Sequence, residues 1–183
     1  MKFLRFLPLF LLVFCVSELH AEVKIGVIDT NKIIENCTAH AEAKKVIENE
    51  FNKYEKEAGE MQEKFSKKAE NLENKKNVVA AKEYNKKREE LTKEAQVLQK
   101  KFYNQRVNLE KEFNNVNKIL NDNLADIIKK LSEKKHLTVA LDKGMVLYND
   151  ESIEITDEVI KEINKKLKSI DVNLPQSKAS DSK

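Results

Sequence analysis

From Ile47 the apolar or small positions of the chain fall at Phe51, Tyr54, Ala58, Met61, Phe65 and, after Lys68 breaks the pattern, at Leu72. Alternating steps of four and three draw one stripe along a helix, the seam of a coiled coil. A second register runs through Leu91, Ala95, Leu98, Phe102, Gln105, Leu109, Phe113, Val116, Leu120, Leu124, Ile127 and Leu131. It advances about 3.6 residues per step, closer to a straight helix than to a strict supercoil. Between the stripes lies "ENKKNVVAAKEYNKK", where neither register holds and Asn74 and Asn77 are the weakest helix formers. The pattern predicts a turn between Lys75 and Ala80, and with it an antiparallel helical hairpin over residues 39–135 with its tip near 75–80. One unbroken helix in a parallel coiled coil is the alternative, and the break in register argues against it.

The ends of the chain change period. "EVKIGVID" places Val23, Ile25 and Val27 on one face of a strand, and "TNKIIENC" reads as a helical turn capped by Asp29 or Thr30. After the long helices, Leu137, Val139 and Leu141 alternate with Thr138 and Ala140, and "DKG" then turns the chain into "MVLYN", a predicted β-hairpin. Thr156 caps a short amphipathic helix with Val159, Ile160, Ile163 and Leu167 on its inner side, and Asp157 and Glu158 suit its first turn. Three short strands and two small helices thus flank the long pair, which returns the chain to its starting point.

The expected fold is α+β, mainly α: a coiled-coil arm projecting from a small β-rich body made of residues 22–38 and 136–170. Its candidate core is Ile25, Val27, Val139, Leu141, Val146, Tyr148, Ile160 and Ile163. Strands of about five residues leave edges open and bury little apolar surface, so self-association is expected. Past Ile170, "DVNLPQSKASDSK" is polar and aperiodic, and residues 171–183 read as a disordered tail.

Composition agrees with this outline and adds a destination. Of 183 residues 36% are charged, with three Gly, two Pro and no Trp, which suits long helices with narrow seams. Lys2 and Arg5 precede an apolar run from Phe6 to Val16, and Ala21 follows, so residues 1–21 read as a cleaved secretory signal. The run is too short for the ~20 residues that span a bilayer. Bulky Phe14 before Cys15 argues against a lipoprotein. Only Cys37 then remains, which excludes an intrachain disulfide and a multi-cysteine metal site. Asn36, Cys37 and Thr38 match a glycosylation triplet by chance. With only His40 and His136 left after cleavage, no Gly-rich phosphate loop and no convergent acidic set, the chain reads as a non-enzyme without metal or cofactor.

Together, the signal, "KIGVIDTNKII" at the mature start, the Lys/Glu-rich helical hairpin and "HLTVALDKGMVLYNDESIEITDEVIKEINKKL" resemble the Skp (OmpH) family of periplasmic chaperones. The closing segment is the most specific part. The resemblance covers nearly all of residues 22–168 and implies a homotrimer. In it, three chains share a β-barrel body and three arms surround a cavity that holds unfolded outer-membrane β-barrel proteins without ATP. A structural or adhesive coiled coil of the cell envelope is the competing reading.

Charge is uneven along the chain. Residues 64–88 carry nine basic and three acidic side chains, whereas the whole chain is only +3. The candidate tip contacts, to client or to an anionic membrane surface, are Lys67, Lys68, Lys75, Lys76, Lys82, Lys86, Lys87 and Arg88. Export and the nearly balanced total argue against nucleic acid as a partner. Family members are often strongly basic and this chain is not, which turns attention to apolar contacts off the seam: Val78 and Val79 at the turn, Tyr103 and Val107 on the second helix.

Overall fold

A computed structural model describes residues 23–174; the expected signal segment 1–21 lies outside the described residues. The long helices are α2, Thr38–Asn74, and α3, Ala81–Lys135, of 37 and 55 residues. At 1.5 Å per residue they reach about 55 and 80 Å. Cross-links between them fix their direction. His40 Nε2 meets Asn117 Oδ1 at 3.0 Å, Lys101 meets Glu57 at 3.7 Å, Lys68 meets Glu94 at 2.5 Å, and the Tyr84 hydroxyl donates to Glu73 at 2.7 Å. One number rises as the other falls, so the pair is an antiparallel hairpin.

The remaining elements are β1 (Ile25–Ile28), α1 (Thr30–Asn36), β2 (Val139–Asp142) and α4 (Thr156–Lys166). Asp29 caps α1 by accepting from the Lys32 N–H at 2.9 Å. Cys37, extended and fully buried, separates α1 from α2. Asn164 of α4 bridges that break like a piece of backbone. Its Oδ1 accepts from the Thr38 N–H and its Nδ2 donates to the Asn36 carbonyl, both at 2.9 Å. At the other end, α3 closes on His136 in the left-handed conformation (φ 57°), with the Leu137 N–H donating to the Ser132 carbonyl at 2.8 Å. This closure usually takes glycine.

Strands β1 and β2 pair in parallel, Ile25 with Val139 through Ile28 with Asp142, so the whole hairpin serves as their crossover. Val27 also bridges Glu154, and the Ile155 N–H donates to the Val27 carbonyl at 2.9 Å. Strand β1 is therefore central. Gly26 lets Leu137 pack close to the strand: a Cβ there would fall 2.6 Å from Leu137 Cδ1, so that side chain would have to move. The core sits at the base of the arm, where Val116, Leu120, Leu124, Ile127 and Leu131 of α3 are buried in one cluster with Ile33 of α1, Ala39 and Ala43 of α2, and Val159 and Ile163 of α4. Towards the tip the seam is only half-buried, since two helices alone cannot enclose their own contact face.

Two expectations are corrected. The predicted β-hairpin after residue 137 is absent; 3₁₀ turns occupy Lys143–Met145 and Glu151–Ile153, and residues 146–149 lie outside any ladder. The side chains of Asp142 and Asp150 capture the Gly144 and Ser152 N–H groups at 2.8 Å and bend the chain into local turns. Residues 171–174 are packed rather than disordered. Ile170 is buried and Val172 and Leu174 half-buried, alternating with exposed Asp171 and Asn173, and the Asn173 N–H donates to Glu112 Oε2 at 3.1 Å. Composition concealed this two-residue alternation. The rest of the expected tail, 175–183, lies outside the described residues.

The uneven packing predicts uneven sensitivity. Leu120→Ala should cost about 2–5 kcal/mol in urea unfolding followed by circular dichroism, whereas Leu98→Ala in the half-buried seam should cost clearly less.

Candidate functional site

Two surfaces have more chemistry than the fold needs. The first is the open side of the body. Among the described residues the sheet has two strands and β2 keeps one edge without a neighbour, and Val139 and Leu141 on it are each 38% exposed. The unpaired segment that follows presents Met145, Leu147 and Tyr148 to solvent, Leu147 completely. Of the candidate body core, Val27 and Ile163 are fully buried and Val146 and Ile160 half-buried. Ile25, Val139, Leu141 and Tyr148 lie open in the single chain. An unblunted strand edge beside a run of exposed apolar side chains is a surface for association.

The second surface is the tip, which follows the end of α2 at Asn74 and precedes Ala81. Val78 is 81% exposed on it and Val79 half-buried. The cations there fall into two groups. Lys67, Lys68, Lys76, Lys86 and Lys87 each pair with a glutamate, namely Glu63, Glu94, Glu73, Glu90 and Glu83. Lys75, Lys82 and Arg88 form no ion pair among the described residues. Glu73 accepts from both the Tyr84 hydroxyl and Lys76, and these hold its carboxyl below the usual range. The tip is thus sewn together by its paired charges, and three cations are left over. Tyr103 and Val107 are exposed on α3, away from both surfaces in sequence.

The chain matches the OmpH family, described as outer membrane protein (OmpH-like), over residues 24–163. It belongs to the OmpH-like family. Its sequence is 30% identical over 156 residues to an uncharacterized protein of Aquifex aeolicus (strain VF5), covering 85% of this chain and 95% of that protein. Its fold is similar to a crystal structure from Caulobacter crescentus CB15 of an OmpH-like protein, proposed to be an outer membrane chaperone, with a TM-score of 0.74 at 15% identity over 85% of this chain and 92% of that one. The OmpH-like match spans body, arm and α4, so both surfaces lie within it.

Several residues that position the OmpH-like body carry no motif in the sequence. Thr156 accepts from the Asp29 N–H at 2.9 Å, Thr30 donates to Asp142, and Lys143 pairs with Glu154 at 2.8 Å. Each links segments more than a hundred positions apart or spans a turn, so only the closed fold reveals it. Among the described residues no group of His, Cys, Asp or Glu is arranged to hold a metal ion, and no helix is long and apolar enough to cross a membrane.

Lys166 reaches Asp126 at 2.6 Å and ties α4 to α3, and Lys130, one turn along α3, reaches the same carboxylate at 2.9 Å. They hold the Asp126 carboxyl down at about 2, against an ordinary 3.8. A depressed carboxylate adds stability that is complete above its unfolded value and lost as pH falls through its folded one. Asp126→Asn should therefore flatten the loss of stability between about pH 4 and pH 2, read from urea midpoints across that range.

Proposed function

We propose that the mature chain is a periplasmic, ATP-independent holdase that keeps unfolded outer-membrane β-barrel proteins from aggregating. The observation that carries this is the division of the molecule: a body with an unsatisfied edge, and an arm whose seam stays half-open over most of its length. Family membership supports the client class, and the apolar run before Ala21 supports export. Neither surface offers a set of groups for bond-making chemistry, which favours binding over catalysis.

The body edge fits self-association into a homotrimer. Copies of the segment 145–148 would find in a neighbouring β2 a ladder partner that the described residues of one chain do not supply, and Tyr148, Leu147 and Met145 would leave water together. Three arms would then stand around a shared space. Light scattering on the mature protein should report a trimer; a monomer would remove the cavity. Diluting a denatured outer-membrane β-barrel protein into it should give markedly less aggregation without nucleotide, whereas an inert envelope spacer would leave aggregation unchanged.

At the tip, unpaired Lys75, Lys82 and Arg88 around exposed Val78 suit an anionic membrane surface. Reversing these three charges should weaken binding to anionic vesicles at low salt more than reversing Lys67, Lys86 and Lys87, whose charge is already offset by glutamates.

A further inference from the structure

The arm is open along one flank in a way its sequence pattern conceals. Phe51 and Phe113 occupy seam positions, yet they are 46% and 39% exposed. With Ile47 and Leu109 they line a hollow of about 490 Å³ between α2 and α3. Phe51 and Leu109 continue into a second hollow at Tyr54, Ala58 and Phe102, and Phe102 into a third at Met61, Phe65 and Leu98. These join into one apolar groove from Ile47 to Phe65, about 27 Å long at the helical rise. That length matches roughly eight residues of extended polypeptide.

The molecule shows what such a helical flank accepts. Residues 170–174 run outside any helix or ladder, burying Ile170, Val172 and Leu174 while Asp171 and Asn173 face solvent, and a free backbone N–H finds the Glu112 carboxylate. Glu112 stands about 160° around α3 from Glu110, which rims the groove, so this strap covers the opposite flank and leaves the groove clear. The groove repeats both parts of the strap's seat. Its floor is apolar, and its acceptors are the Glu48 and Glu110 carboxylates at one end and Gln105 in the middle. Gln105 Oε1 is buried and accepts no hydrogen bond. A buried carbonyl oxygen without a donor is costly, so the Gln105 side chain gains by turning outward to a donor that arrives in the groove.

We propose that this groove is the gripping surface for clients and takes one unpaired, extended stretch of polypeptide with apolar residues at every second position. Apolar side chains enter the hollows, and backbone N–H groups donate to the rim carboxylates and, once its side chain turns outward, to Gln105 Oε1. A helical segment does not fit this chemistry: its N–H groups are already bonded and its apolar positions recur every three or four residues. The strand-forming segments of an unfolded β-sheet protein supply both features. The inference rests on the holdase reading and specifies where and in what form the client is held.

The probes are two fluorescein-labelled nine-residue peptides of identical leucine and threonine content, one strictly alternating and one in helical order, titrated with the mature protein by anisotropy. The alternating peptide should bind at least about tenfold tighter. Phe51→Ser with Phe113→Ser should remove that preference, as should Ala58→Trp, which fills the groove without deleting a contact residue. Gln105→Leu should weaken the alternating peptide several-fold without lowering the unfolding midpoint, because it removes an unpartnered oxygen rather than a bond. Val97→Ser, at an exposed position of α3 that lines none of the hollows, should change nothing. Equal binding of the two peptides, or unchanged binding in a folded groove variant, overturns the proposal. Aggregation of an outer-membrane β-barrel protein, followed in parallel with the unaltered protein, separates the two readings. Suppression alongside failed peptide tests overturns the groove alone, and no suppression overturns the holdase reading on which it rests.

Discussion

Everything in this chain depends on the return of its second half to its first. Pairing β1 with β2 closes a connection of more than a hundred residues, which for a flexible chain would cost on the order of 4 kcal/mol in closure entropy alone. Two short parallel strands cannot offset that. The antiparallel helices do, because each turn of α2 laid against α3 carries the chain back by the same rise that took it out. The ends meet within hydrogen-bonding reach, and the Thr138 N–H donates to the Lys24 carbonyl at 2.7 Å. Arm and body are therefore one cooperative device, in which the helical seam sets the sheet's register.

That dependence also explains where stability is concentrated. The buried side chains cluster where α3 meets α1, α4 and the sheet, so four elements share the work of excluding water. Farther out only two helices remain, held by half-buried seam residues and by exposed ion pairs that each contribute little. A firm base and a thinly packed arm follow from geometry, without any special flexibility encoded in the sequence.

The hairpin was legible because periodicity reports on it directly: the stripes through Ile47 to Leu72 and Leu91 to Leu131 can be satisfied only by helices that face each other. Helix α4 was legible for the same reason, with Val159 and Ile163 on one face. What failed was local reading of short segments. "DKG" followed by "MVLYN" has the residues of a hairpin, but the Asp142 and Asp150 carboxylates bind nearby N–H groups, and among the described residues no strand lies beside 146–149. The strap at 170–174 was hidden by polar neighbours, and the left-handed turn at His136 by the absence of glycine.

At the candidate surfaces the sequence located the basic tip but could not divide it, since whether a lysine is free depends on the glutamate one turn away or on the facing helix. Lys68 is neutralised by Glu94, 26 residues distant, while Lys75 forms no ion pair among the described residues. Phe51 and Phe113 show the same limit in apolar form. A seam position promises burial, and it is delivered only if the facing helix is close enough. Here Ala39 and Ala43 are buried at the base, and bulkier residues follow: Tyr54 and Phe102 line a hollow between α2 and α3. Small residues at the base and large ones beyond it therefore turn a uniform stripe into a closed core that opens into a groove, and the same periodic pattern builds the support and the surface it carries.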